Sequence, residues 1–214
     1  MIPPMAHSER AWNNWYHVVG NTYGTWLRGD PRGWRARHHR EHCQGDYKTP
    51  PPFGQHAEKY ELSKRLMKRQ RIILTRTQQL IACHEIVDTL RFHSVEVIDA
   101  CVTPKHYHIL ARFRPLAGHE YLPRFHIPGA RNDAPISKIR TPRHLVGIAK
   151  KQSAKRLTRE NLVRSGGIWG VRCKPKPISD RAHQLRVAHY IRRHAAKGAI
   201  VWSLTRDDPP PRKE

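Results

Sequence analysis

The segment 101–113, Cys-Val-Thr-Pro-Lys-His-Tyr-His-Ile-Leu-Ala-Arg-Phe, constrains this chain more than any other stretch. Successive side chains on a β-strand point to opposite faces. His106 and His108 therefore project together, while Tyr107, Ile109 and Ala111 turn to the other face. A strand that is apolar on one face belongs in a sheet with that face covered. Two imidazoles a pleat apart on the other face can hold one divalent ion. Among sixteen histidines a single His-x-His pair is a weak signal, so its meaning depends on what the rest of the chain places beside it.

A second element lies near the C-terminus. Ser179 or Asp180 offers an N-cap and Gly198 a stop, and Gln184, Ala188, Ile191 and Ala195 recur at helical spacing as one apolar stripe. The pattern predicts a helix over 179–198. Tyr190 and His194 are four residues apart, hence one above the other, beside the stripe rather than opposite it. A pair in that position can look across at a neighbouring sheet face, supplying a nucleophile and a third ligand.

These two stretches resemble the His-hydrophobic-His, single-tyrosine (HUH) transposases, including the REP-associated tyrosine transposases. Residues 102–110, Val-Thr-Pro-Lys-His-Tyr-His-Ile-Leu, are similar to the family's strand, in which a Pro precedes the histidine pair and aliphatic residues follow it. Residues 190–194, Tyr-Ile-Arg-Arg-His, are similar to the catalytic helix, in which a Tyr-Ile pair carries the nucleophile and a polar residue four positions on, usually Asn or Gln, completes the metal site. The resemblance implies Tyr190 as nucleophile and His106, His108 and His194 as ligands of a divalent metal, Mg²⁺ or Mn²⁺. His194 departs from the pattern, standing where an amide is usual. The likeness covers about the last two thirds of the chain and the first strand; residues 28–70 have no counterpart in it.

Lys and Arg number 40 against 17 acids in 214 residues, a formal charge of +23. Such an excess fits a polyanionic partner, and nucleic acid is the default. The length suits one domain with a real core and hardly two. Cys43, Cys83, Cys101 and Cys173 form no Cys-x-x-Cys pair, so neither a disulfide framework nor a zinc ribbon is suggested and a reducing compartment is. No apolar run approaches a membrane span, and the first residues lack a basic-then-apolar signal pattern. The expected location is the cytoplasm, near the nucleoid.

In chain order, residues 15–23 read as a first strand ended by Gly24. Residues 28–60 are basic and Pro-containing, an irregular surface insertion in which Arg35, Arg37 and Arg40, with Trp34 and Tyr47, suit phosphate contacts and base stacking. His39, His42 and Cys43 are a weaker zinc candidate, lacking a second ligand pair. A short basic helix over 60–69 extends the insertion to about 70. Thr75 and Gln78 form a capping-box pattern before a stripe of Leu80, Cys83, Val87 and Leu90. Residues 94–102 form a strand, joined by a tight turn at 103–105 to an antiparallel partner over 106–113. Residues 114–142 are a connector in which Arg124, His126, Arg131 and Lys138 can touch phosphate. Thr141 and Pro142 open a helix through Leu157, its exposed face assigned to Lys150, Lys151, Lys155 and Arg156 as nucleic-acid contacts. A short strand over 168–173 precedes the Tyr190 helix, and residues 205–214 read as a disordered tail.

The order strand, helix, strand, strand, helix, strand, helix predicts one α+β domain over 1–214. Its expected form is ferredoxin-like or RRM-like, an antiparallel sheet with helices packed on it. The family resemblance implies a metal-dependent single-strand DNA endonuclease and strand transferase, working through a 5′-phosphotyrosine in DNA transposition or recombination. Single-stranded or hairpin DNA would be the partner, and a homodimer is compatible with the pattern. Two alternatives stay open. A non-catalytic nucleic-acid-binding regulator would keep the fold and the charge, and a water-using metal nuclease would keep the histidines without requiring Tyr190.

Overall fold

The hydrophobic alternation of the central strands is resolved by a five-stranded sheet whose two faces are covered by different helices. The computed structural model describes residues 12–34, 42–43, 49–114 and 141–207. Among these, the elements are β1 (Trp15–Thr22), α1 (Ala57–Arg65), α2 (Arg76–Phe92), β2 (Glu96–Val102), β3 (His106–Arg112), α3 (Pro142–Arg159), β4 (Trp169–Pro177), α4 (Arg181–Arg193), β5 (Ile200–Ser203) and the single turn α5 (Leu204–Asp207). The strand order is β4-β1-β3-β2-β5, and every pairing is antiparallel. Its first four strands have the ferredoxin-like arrangement: α2 carries the chain from β1 to β2 across β3, and α3 carries it from β3 to β4 across β1.

Side-chain alternation on β3 divides the molecule into two cores. Tyr107, Ile109 and Ala111 join Val18, Val102, Ile86, Leu90, Val146 and Leu157 in the larger core under α2 and α3. Leu110 faces the other way, into a smaller cluster with Trp15, Cys101, Val187, Ala188 and Ile191 under α4. Each fully buried aliphatic side chain contributes about 2 kcal/mol. A one-residue slip of β3 would put the histidines into the larger core and expose that apolar set, so the register is strongly specified. Tyr107 lies over Gly20, where even a Cβ would collide with its ring.

Helix boundaries follow from caps. Thr75 accepts from Gln78 N while the Gln78 side chain accepts from Thr75 N, completing the capping box. Thr141 caps α3 with Pro142 in its first turn, and Asp180 caps α4 by accepting from His183 N at 2.7 Å. The α4 segment then tightens into a 3₁₀ turn over His194–Lys197 and stops at Gly198, whose φ of 80° is the left-handed conformation glycine adopts freely.

Several expectations need correction. Leu80 is exposed; the buried stripe of α2 is Gln79, Ala82, Cys83, Ile86, Val87 and Leu90. Ala195 is exposed because the 3₁₀ turn rotates the chain, so that His194 is turned inward instead. β4 runs on to Pro177; as an edge strand it tolerates Pro175 and Pro177, which cannot donate to a ladder. β5 was missed, although residues 199–202, Ala-Ile-Val-Trp, follow a helix stop directly. Leu204–Asp207 is helical where the tail was drawn from 205. Trp34 is no stacking platform: it is buried beneath Lys59 and Arg28, with His56 edge-on to its ring. All four cysteines are free thiols.

One ion pair sets the rotation of α4. Asp99 on β2 is fully buried and accepts from Arg192 Nε at 2.8 Å and Nη2 at 3.2 Å. Replacing Arg192 with Ala leaves a buried carboxylate without its partner and is expected to destabilise the fold by about 3 kcal/mol. Chemical denaturation of Arg192→Ala, Asp99→Asn and the double variant measures this. A coupling energy near zero would show that the pair does not hold α4.

Candidate metal and tyrosine site

On the α4 side of the sheet, β3 contributes His106 and His108, and the end of α4 contributes His194. Among the described residues these three form the one group of His, Cys, Asp or Glu side chains able to share an ion, with ligand atoms all within 4.8 Å of one another. The His108 and His194 rings are stacked at 4.9 Å between centroids, and His106 stands edge-on to both. All three come from one chain.

Each ring's outer neighbour decides which nitrogen is available. Thr103 Oγ1 donates to the His106 carbonyl at 2.9 Å and lies 3.0 Å from His106 Nδ1, so it occupies that nitrogen. His108 Nδ1 lies 2.9 Å from Nε2 of His17, a β1 residue on the same face. Both contacts leave Nε2 as the free nitrogen. Nε2 of His108 and Nε2 of His194 are buried with no hydrogen-bond partner. Buried polar atoms normally find partners, so two ring nitrogens left unmatched in one place, beside a third imidazole, fit a divalent ion. Nitrogen-only donors favour Mn²⁺, Co²⁺, Ni²⁺ or Zn²⁺ over Mg²⁺.

Tyr190 lies against this cluster. Its ring is edge-on to His194 at 4.9 Å, to His108 at 5.2 Å and to His17 at 6.1 Å, and the residue is 41% exposed. A phenol that is packed on the imidazoles and still open to solvent can meet a large substrate. Tyr107 points into the opposite core, as the strand alternation requires.

His17 and Arg32 were not among the predicted site residues. His17 required the β1–β3 register, which sets Val19 against His108 and Leu110 against His17. The alternation of residues 15–18, Trp-Tyr-His-Val, was the available signal. Arg32 stands near His106, beyond the turn at 103–106: its Nη2 donates to Thr25 O at 2.6 Å, and Thr25 Oγ1 donates to Lys105 O at 3.1 Å. Buried Asp30 grips its Nε and Nη2, and Trp26 stacks beneath the guanidinium at 4.5 Å. Among the described residues these bonds engage Nε and Nη2 of Arg32.

The predicted nucleic-acid contacts fare differently. Arg35, Arg37 and Arg40 lie outside the described residues, as do Tyr47, His39, Arg124, His126, Arg131 and Lys138. Cys43 is buried and its sulfur accepts from Trp34 N at 3.0 Å. Lys150 is not on an exposed face; it is buried, and its ammonium donates to Gly170 O at 2.6 Å and Val171 O at 3.3 Å. Lys151, Lys155 and Arg156 are exposed, but α3 covers the sheet face opposite the histidines. Arg156 is also paired with Glu160 and Glu85.

Burial holds the histidines neutral. It lowers His106 to about 4, with His194, Arg32 and Lys105 adding to the effect. His108 falls to about 2 through burial and then its neighbours His17, His106, His194 and Lys176. His17 falls to about 4 through burial, Lys176, His183 and His194, and His194 is lowered by burial, Lys197 and Arg193. A histidine whose folded pKa is depressed binds fewer protons folded than unfolded between the two values. Stability is therefore full above the ordinary value of about 6.5 and falls as pH drops towards about 4. Melting temperatures in EDTA are expected to be flat above pH 7 and to fall steadily from pH 6.5 to 4, with His17→Phe flattening the fall. A wild-type profile level down to pH 4 would contradict this. His17→Phe should also weaken Mn²⁺ binding about tenfold by freeing His108 Nδ1.

No protein-family model matches the chain, and a search of curated proteins found no match. Among solved structures the chain is similar to a REP-associated tyrosine transposase bound to a REP hairpin, at 14% identity and a TM-score of 0.39, over 91% of this chain and 74% of that one. No helix among the described residues is long and apolar enough to cross a membrane.

Proposed function

We propose that the chain is a metal-dependent, single-strand DNA endonuclease and strand transferase that works through a 5′-phosphotyrosine intermediate. The observation that carries this reading is the contact of a half-exposed Tyr190 with His108 and His194, two of three histidines whose Nε2 atoms are left to a ligand. When bound at Nε2 of His106, His108 and His194, a divalent ion supplies positive charge that polarises the scissile phosphate and offsets charge developing during displacement.

The chain's own residues account for the rest. Tyr190 Oη forms a bond to phosphorus as the bond from phosphorus to the 3′ oxygen breaks; the phenol gives up its proton and the 3′ oxygen gains one. A phenol titrates near 10 in water, so attack at neutral pH needs positive charge close by. One phosphodiester is exchanged for one phosphotyrosyl ester, so the reverse step rejoins DNA without a nucleoside triphosphate. α4 supplies Tyr190 and the 3₁₀ turn that continues it supplies His194, which fixes the nucleophile relative to one ligand through about one turn of backbone. The positive charge of the chain, +23, draws in the polyanion.

Wild-type protein incubated with labelled single-stranded hairpin DNA is expected to give an adduct that survives a denaturing gel, more strongly with Mn²⁺ than with Mg²⁺. Tyr190→Phe keeps the ring packing and should lower adduct yield by at least about a thousandfold. Cleavage by that variant without an adduct would point to water as nucleophile, and binding without cleavage by the wild type to a regulator. His106→Ala and His108→Ala should abolish cleavage. His194→Gln should keep it and move the preference towards Mg²⁺; identical metal preference in wild type and His194→Gln would show that His194 is not a ligand.

A further inference from the structure

Basic residues that the sequence did not single out also border the histidine cluster. Lys176 on β4 is paired in register with His17, and Lys174 with Val19, which is itself paired with His108. Directly paired residues share a face, so Lys174 and Lys176 project from the same side of the sheet as His17 and His108. Arg172 lies two residues before Lys174, where the β1–β4 register shifts, next to this pair along the same edge strand. All three are exposed. Lys174 and Lys176 are spaced about 7 Å apart along the strand, close to the phosphate repeat of an extended single strand. α4 packs on β2, β3 and β5, with its first turns reaching Trp15 and Ile178 at one end of β1 and β4. His183 and Tyr190 are two turns apart on one flank of α4, and Lys176 and His183 both act on the pKa of His17. An open trough thus runs between that flank and the β4 edge, with His17 and His108 at its floor.

The trough has one sign of charge. Residues 15–22, 169–177 and 181–193, the three elements that border it, contain no Asp or Glu. On the α3 face, Arg156 is paired with two carboxylates.

We propose that Arg172, Lys174 and Lys176 form a track for the phosphate backbone of single-stranded DNA, leading it along β4 to the histidines and Tyr190. The proposal rests on the reading of the chain as a single-strand DNA enzyme and adds the path the strand takes. The trough is bounded by a helix on one side, and Lys174 and Lys176 stand in a row on the other, which suits one strand rather than a duplex.

The test is binding of a fluorescein-labelled oligothymidylate, followed by anisotropy in EDTA across a series of salt concentrations. A variant carrying Arg172→Ala, Lys174→Ala and Lys176→Ala is expected to bind about tenfold more weakly or worse, with a salt slope shallower by about 2, since each phosphate contact to a single strand contributes about 0.7. Lys151→Ala, Lys155→Ala and Arg156→Ala together should change affinity by less than about twofold. The charge-keeping variant Arg172→Lys, Lys174→Arg, Lys176→Arg should bind like the wild type. The track is overturned if the β4 alanine variant keeps wild-type affinity and slope, or if the α3 variant loses as much. It is also overturned if the charge-keeping variant is as weak as alanine, if duplex of equal length competes equally, or if the wild type does not bind. Binding in EDTA needs neither the ion nor the Tyr190 hydroxyl. A β4-dependent affinity in a protein that never forms an adduct would therefore sink the nicking reaction and leave the track standing.

Discussion

The Asp99–Arg192 ion pair orients the helix that the candidate site depends on. On α4 the core-facing residues are Gln184, Val187, Ala188 and Ile191. Successive residues advance by about 100° around a helix. Arg192 therefore leaves one flank, towards β2, while His183, Tyr190 and His194 leave the other, towards β3 and β1. A fully buried carboxylate on β2 is stable there only with its guanidinium, so the pair clamps the helix on one side. With that side fixed and Ile191 buried beneath, the rotation of α4 has little freedom, and the Tyr190 ring and His194 come to rest on His108.

The site combines two electrostatic conditions that pull against each other. A chain of +23 suits a polyanionic partner, yet histidines proposed to hold a metal must stay neutral. Burial resolves this: removal from water disfavours imidazolium, and cations such as Lys176 and Arg32 lower the histidine pKa values further. The same positive charge that suits DNA therefore keeps the donor nitrogens unprotonated. Thr103 and His17 add direction, since each occupies Nδ1 of one ring and leaves Nε2 facing inward.

What was legible in the sequence is what depends on local period and chemistry. The alternation of His106, Tyr107 and His108, the capping box at Thr75 and Gln78, the Thr141 and Asp180 caps and the four-residue step from Tyr190 to His194 all survive in the fold. What could not be read depends on partners far along the chain. His17 meets His108 only through the β1–β3 register, and Lys174 and Lys176 reach the site only because β4 returns beside β1. Lys150 has a helical position that reads as exposed, but β4 supplies carbonyls for its ammonium and buries it. Trp34 looked like a stacking surface because its cover, Lys59 and His56, is more than twenty residues away. Ala195 failed for a local reason: the turn from α-helix to 3₁₀ shifts the phase by enough to exchange it with His194.

The proposed function requires three Nε2 atoms to converge on one ion beside the Tyr190 hydroxyl. The most direct measurement is an anomalous difference map from crystals grown with Mn²⁺. The expected result is a single strong peak bound by Nε2 of His106, His108 and His194, at about 2.2 Å from each nitrogen, with Tyr190 on its solvent side. A map with no peak among these histidines, or with the ion held through Nδ1 of His106 or His108, would contradict it.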